Sequence, residues 1–167
     1  ADVVRNLLTF YHSGQQGEQE YQRESFATII DRVVRLLSYR IGKQGVSLTQ
    51  HIAEGTPEVW METSGMQQVF LNLISNALDA VAESVKKEVR IEVCGNGKFV
   101  QVTIADSGRG IPPENLGKIF TPFFTTKAVG QGTGLGLALS QSIILKHEGD
   151  ITCQSNPGVG TTFKILL

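Results

Sequence analysis

A chain of 167 residues, 41% of them hydrophobic, is long enough for one domain with a sizeable core. Its net charge of −1 argues against a nucleic-acid binder, and no apolar run approaches the roughly 18–20 residues that cross a bilayer. Cys94 and Cys153 lie far apart, with no CxxC pair and no clustered histidines, so neither a disulfide framework nor a zinc site is encoded. Both read as small apolar strand residues in a reducing compartment. The opening Ala-Asp-Val-Val-Arg lacks signal-peptide character, and a cytoplasmic location is expected, whether or not the parent protein is membrane-anchored.

In chain order, residues 1–12 place Val4, Leu7, Leu8 and Tyr11 on one helical face. Twelve residues are too few for a stable isolated helix, so this segment reads as the end of a longer helical element. Residues 13–20 are polar and glycine-punctuated, a linker. Phe26, Ile29, Ile30, Val33, Val34 and Leu37 form the stripe of a second helix, stopped at Gly42 or Gly45. Residues 46–52 alternate as a half-buried strand, and a short strand is expected at Glu58–Met61. The clearest helix runs from Ser64 to Glu83, with Met66, Val69, Phe70, Leu73, Ile74, Ala77 and Val81 on its apolar face. Arg90–Cys94 and Phe99–Ile104 read as a hairpin across Gly95-Asn96-Gly97. A glycine-rich region from Asp106 to Gly136 follows, then a helix from Leu135 to His147. Strands near 151–154 and 161–166, joined at Asn156-Pro157-Gly158, end the chain. Helices and antiparallel strands in blocks predict an α+β domain, a two-layer sandwich with helices on one face of a mixed, mostly antiparallel sheet.

Four segments carry candidate chemistry. Asn72 and Asn76 share one face of the long helix, four residues apart. Asparagine is a poor helix former, and its neutral amide oxygen can ligate Mg²⁺ without adding charge beside phosphates; solvation or backbone bonding is the alternative. Asp106-Ser-Gly-Arg-Gly110 sets a carboxylate at a strand end, able to accept a hydrogen bond from an exocyclic amine. Gly108 and Gly110 would let backbone approach a flat ring; an ordinary strand-end turn has the same composition. Gly130-Gln-Gly-Thr-Gly-Leu-Gly136 opens a helix and offers freed amides to phosphates, although no Rossmann or P-loop spacing fits these glycines. Between them, Phe120-Thr-Pro-Phe-Phe-Thr-Thr-Lys127 brings aromatic anchors and a lysine able to reach a phosphate. Thr161 can hydrogen-bond a ligand from a late strand.

In this order the segments resemble the N, G1, F and G2 boxes of the catalytic ATP-binding domain of sensor histidine kinases. These belong to the superfamily of gyrase, chaperone and mismatch-repair ATPases, and the resemblance spans residues 21–167. It implies a Bergerat-type fold that binds ATP and Mg²⁺. Asn76 would ligate the metal, and Asn72 would assist it or touch phosphate. Asp106 would take the adenine amine, with Thr161 nearby and acting through water in the family pattern. Gly108 and Gly110 would shape the base pocket. Gly132, Gly134 and Gly136 would serve lid closure and phosphate binding, with Thr133, Leu135 and Leu137 among the nucleotide contacts of that segment.

The implied reaction is γ-phosphoryl transfer to a histidine on a separate dimerisation domain, of which residues 1–12 resemble the tail, and then to a response-regulator aspartate. The full-length protein would be homodimeric, and this isolated chain monomeric. Two departures stand out. Asp79 occupies a position that is often basic in the family, so the phosphate-neutralising role passes to Lys127. None of His12, His51 and His147 has the surroundings of a phosphoacceptor. Where hydrolytic relatives carry a glutamate base, this chain has Asn72, whose amide cannot take a proton from water. The competing readings are an ATP-hydrolysing relative, a nucleotide-binding regulatory module and a serine kinase of the same superfamily.

Overall fold

The computed structural model describes residues 21–95, 98–128 and 132–167. The expected helical remnant 1–12 and linker 13–20 lie outside the described residues, as do Asn96, Gly97 and residues 129–131.

The first strand, β1 (Tyr21–Glu24), was not foreseen; it pairs antiparallel with β3 (Val59–Glu62) as a separate two-stranded ribbon. Between them, α1 (Phe26–Gln44) starts where the Ser25 hydroxyl accepts from Ala27 N, and stops at Gly45, φ +66°. Of the two glycines offered as a stop, only Gly45 adopts the left-handed conformation that ends a helix cheaply. β2 (Ser47–Ile52) follows.

The central helix, α2 (Thr63–Val81), is capped by Glu62, whose carboxylate accepts from the amides of Ser64 and Gly65. A negative charge there satisfies free N–H groups and suits the helix dipole. The main sheet has the order β2-β4-β5-β7-β6, with β4 (Glu88–Gly95), β5 (Val100–Asp106), β6 (Asp150–Asn156) and β7 (Gly160–Leu166). Only β2 and β4 run parallel, so the sheet is mixed and mostly antiparallel, as expected. A single turn, α3 (Pro113–Leu116), was also unforeseen, and α4 (Gly136–Lys146) completes the helices among the described residues.

The core sits between α2 and the inner sheet face. Met66, Val69, Phe70, Leu73 and Ile74 are buried together with Val89, Ile91, Val93, Val102 and Ile104. The intervening Arg90, Glu92 and Cys94 of β4 are exposed, the alternation of a sheet solvated on one side. Cys94 is therefore not a core residue, whereas Cys153 is half-buried and its thiol is pushed up to about 11 by burial and by the nearby Asp106 charge. Two of the histidines fit a reading as structural or solvated residues. His51 is exposed on β2, while His147 accepts the Glu62 amide on Nε2 (2.9 Å) and sits with Nδ1 2.7 Å from the Ile143 carbonyl. Those contacts suit a neutral ring protonated at Nδ1. Among the described residues no helix is long and apolar enough to cross a membrane.

Candidate functional site

A cavity of about 810 Å³ opens between α2, the β5 end, residues 124–127 and 132–137, and the start of β7. Its volume suits a ligand of nucleotide size. Ile111, Ile119, Phe124 and Phe163 wall an apolar slot in it, with Asp106 and Thr161 supplying polar atoms. Asn72, Asn76, Asp79 and Lys127 also line the cavity, so four segments far apart in sequence meet here.

Asp106 ends β5 directly opposite Thr161 of β7. Its Oδ1 accepts the amides of Gly108 (2.8 Å) and Thr161 (3.3 Å), which fixes the carboxyl plane. Burial raises its pKa above the ordinary value of 3.8, outweighing those two amide bonds. A partly desolvated carboxylate of this kind is poised for a ligand donor.

The glycines divide by role. Gly110, at φ +71°, lines the cavity and packs so closely on the β6–β7 turn that a Cβ would lie 2.2 Å from the Asn156 carbonyl oxygen. Gly108 does not line the cavity. A Cβ there would meet the Ala80 backbone at 2.6 Å, so the close approach it permits is to α2 and not to a flat ring, a correction to the sequence expectation. Gly132, Thr133, Gly134, Gly136 and Leu137 do line it, whereas Leu135 is buried behind them. Gly134, φ +67°, lies against the backbone of Phe123, itself at φ +66°. A phenylalanine in that region costs about 1–3 kcal/mol, held here by the surrounding loop.

Asn72 lines the cavity but its amide is engaged. It donates to the Gly136 carbonyl (3.0 Å) and the Ser140 hydroxyl (3.3 Å) and accepts from Gln68 (2.8 Å), tying the first turn of α4 to α2. Asn76 Oδ1 instead faces the Lys127 ammonium at 3.2 Å. The same ammonium bonds Asp79, whose other oxygen is bonded by Arg40 of α1. Partial burial works to raise the Asp79 pKa, but Lys127 and then Arg40 hold it below the ordinary 3.8. Asp79, singled out in the sequence as unable to neutralise phosphate, is thus the tether of the lysine that can. Arg40 escaped sequence reasoning because nothing in an exposed amphipathic helix marks which arginine reaches a partner 39 residues on. Ser140, a fully buried hydroxyl in an apolar helix, did leave a readable signal.

The oxygen pair of Asn76 and Asp79 already receives one cation, the lysine ammonium, and so has the donor chemistry for Mg²⁺, which takes one or two protein oxygens plus phosphate oxygens and waters.

Comparison with known proteins agrees with this geometry. Residues 61–167 match the family described as histidine kinase-, DNA gyrase B-, and HSP90-like ATPase. The chain is 37% identical over 165 residues to the sensor histidine kinase ZraS of Klebsiella oxytoca, covering 99% of this chain and 34% of that protein. It is 34% identical over 166 residues to the signal transduction histidine-protein kinase AtoS of Escherichia coli K12, covering 99% and 26%. The chain therefore spans about a third of the length of these relatives or less. In structure it resembles the catalytic domain of histidine kinase ThkA, with a TM-score of 0.77, 29% identity, and coverage of 89% of this chain and 95% of that one. It also shares the fold of full-length ShkA, crystallised with AMPPNP, at a TM-score of 0.85 and 23% identity over 99% of this chain and 35% of that one. The four sequence boxes, the cavity they enclose and these relatives give one conclusion: the chain belongs to the histidine kinase-, DNA gyrase B- and HSP90-like ATPase family, as an ATP-binding catalytic domain of the sensor histidine kinase type.

Proposed function

We propose that this domain holds Mg-ATP in the cavity and passes the γ-phosphoryl group to a histidine on a separate helical dimerisation domain, for relay to a response-regulator aspartate. The observation that carries this reading is the polarity of the cavity. A carboxylate stands in an apolar slot, and Asn76 and Lys127 face each other in the lining of the same cavity. Adenine fits the slot, with its exocyclic amine donating to Asp106. The triphosphate then extends toward Asn76, Lys127 and the amides near Gly132–Gly136. Asn76 would hold Mg²⁺, which would supply charge neutralisation for the phosphates. Lys127 leaves Asn76 for the γ-phosphate while Asp79 keeps it within reach.

In the transfer, a ring-nitrogen lone pair of the histidine attacks phosphorus in line and the bond to the β–γ bridging oxygen breaks, its electron pair leaving on ADP. The proton on the attacking imidazole goes to a base of the dimerisation domain. Nothing at position 72 can deprotonate water, because Asn72 is a neutral amide already bonded to Gly136 and Ser140. This chain contributes positioning and charge, which is most of what phosphoryl transfer requires.

Incubation with Mg-ATP and the parent kinase's dimerisation domain should give acid-labile phosphate on that domain and negligible free phosphate from this chain alone. Steady phosphate release by the chain alone would move it to the hydrolytic branch, and failure to bind nucleotide would make it a regulatory module. Lys127→Met should weaken Mg-ATP binding by roughly ten- to a hundredfold, the scale of one lost charged hydrogen bond, and Mg-ADP binding much less. Equal losses for the two nucleotides, measured by calorimetry, would place Lys127 away from the γ-phosphate.

A further inference from the structure

Behind the adenine-sized slot, Ser155 of β6 makes three polar contacts with its hydroxyl. It lies 2.8 Å from the Ile111 amide, 2.9 Å from the Gly160 carbonyl oxygen and 2.9 Å from the Thr161 hydroxyl. The protons on these contacts are determined by chemistry. An amide N–H only donates, so Ser155 accepts from Ile111. A carbonyl only accepts, so the single Ser155 proton points to Gly160. Two oxygens at 2.9 Å need a proton between them, and only the Thr161 hydroxyl has one left to give. Thr161 therefore donates to Ser155 and turns nothing but lone pairs toward the cavity it lines. Asp106, its neighbour across the strand pair, presents a carboxylate, also an acceptor.

We infer that Ser155 is a positioning residue for base selection: by taking the Thr161 proton it makes the recess at Asp106 and Thr161 acceptor-only, which admits a 6-amino purine and rejects a 6-oxo purine. An amino group carries two N–H donors, one for each acceptor. A 6-oxo group brings a lone pair against two acceptors, and a mismatch of this kind leaves polar groups unpaired in a partly desolvated slot. Ser155 is absent from the cavity wall, so its effect is transmitted through the wall residues it bonds, Thr161 and the Ile111 amide, and Thr161→Val isolates the first of these. This inference rests on the Mg-ATP reading and extends it to the choice of base.

The test compares Mg-ADP with Mg-IDP by calorimetry on the whole chain. Wild type should bind ADP far more tightly than IDP. In Ser155→Ala the Thr161 proton is free to turn into the cavity and meet a 6-oxo group, so the ADP preference should fall about tenfold, the scale of one hydrogen bond gained or lost. Ser155→Thr, which keeps the hydroxyl, should restore it. Thr161→Val removes the hydroxyl of Thr161 itself and should reduce the preference similarly, a second route should Ser155→Ala fold poorly. A purely structural role for Ser155 would weaken both diphosphates alike; an unchanged ADP-to-IDP ratio in Ser155→Ala or Thr161→Val overturns the inference. Wild type that binds neither diphosphate overturns the ATP reading itself, a distinct result.

Discussion

Asp106→Asn should abolish useful Mg-ATP binding while leaving the empty domain at least as stable as before. Oδ1 of Asp106 already accepts the amides of Gly108 and Thr161. An asparagine must keep its carbonyl oxygen on those two donors, which turns its NH₂ toward the base. A donor then meets the adenine amine, another donor. The lost charge-assisted hydrogen bond alone is about 1.5–3 kcal/mol, and the mismatch adds to it, so affinity should fall by roughly a hundredfold or more. Stability moves the other way. Burial raises the Asp106 pKa, so the folded state holds its proton more firmly than the unfolded chain does. The ionised carboxylate therefore subtracts stability at neutral pH, a deficit that disappears as pH falls through the folded pKa. A neutral amide removes the deficit at every pH. Wild-type ATP affinity should likewise decline on acidification, beginning above the ordinary aspartate value of 3.8, because binding needs the carboxylate. Titration calorimetry and thermal melts of the same samples decide both halves. An Asp106→Asn protein that binds Mg-ATP like wild type removes Asp106 from the base site.

The largest loss of stability among single small substitutions is expected at Gly160. Its φ is +140°, and a Cβ there would lie 1.9 Å from the backbone oxygen of Asp106 and 3.2 Å from Ser107 Cα. Both neighbours are backbone atoms of the strand end that carries the Asp106 carboxylate, so relief requires β5 and β7 to part. Gly160→Ala should cost about 3–5 kcal/mol, the range of severe core and strain mutants, and lower Tm by roughly 10 °C in a domain this size. What remains folded should bind ATP poorly, since Asp106 and Thr161 face each other through that pairing. Gly117→Ala is the matched control, having no atom within 4 Å of its added Cβ and an ordinary φ of −71°. A melting curve for Gly160→Ala within about a degree of that control would refute the strain argument.

The large-scale reading of the sequence held because the long helices and paired strands announce themselves by period. The stripe from Met66 to Val81 and the alternation of Val89, Ile91 and Val93 left one face each to bury. β1 was missed because its four residues, Tyr21–Glu24, carry no hydrophobic alternation, and their pairing with β3 is decided by the ribbon they complete. At the site, residue types were legible but their partners were not. Asn72 and Asn76 look equivalent on a helical wheel, yet one is clipped to α4 and the other faces Lys127. Glycine gave the weakest guidance. Gly108 and Gly110 have the same chemistry in sequence, and only the third dimension shows that one admits a helix and the other a turn. Asp79 read as a departure because its position is often basic in the family, and the counter-charges that give it a role come from 39 residues before it and 48 after.

The cross-strand pairing of Asp106 with Thr161 also bears on how such a domain can change over time. The two residues are 55 positions apart, and the intervening chain includes the 120s loop, the glycine-rich segment and all of α4. Their juxtaposition is set by the β5–β7 ladder and not by the length of what lies between. Insertions or deletions near Ala128 can therefore accumulate without disturbing the choice of base. A single residue added inside either strand would slide the ladder and destroy the recess at once. On the proposed reading, length variation and ligand identity would thereby be uncoupled, so the chain between the two strands could be remodelled while the nucleotide stays the same.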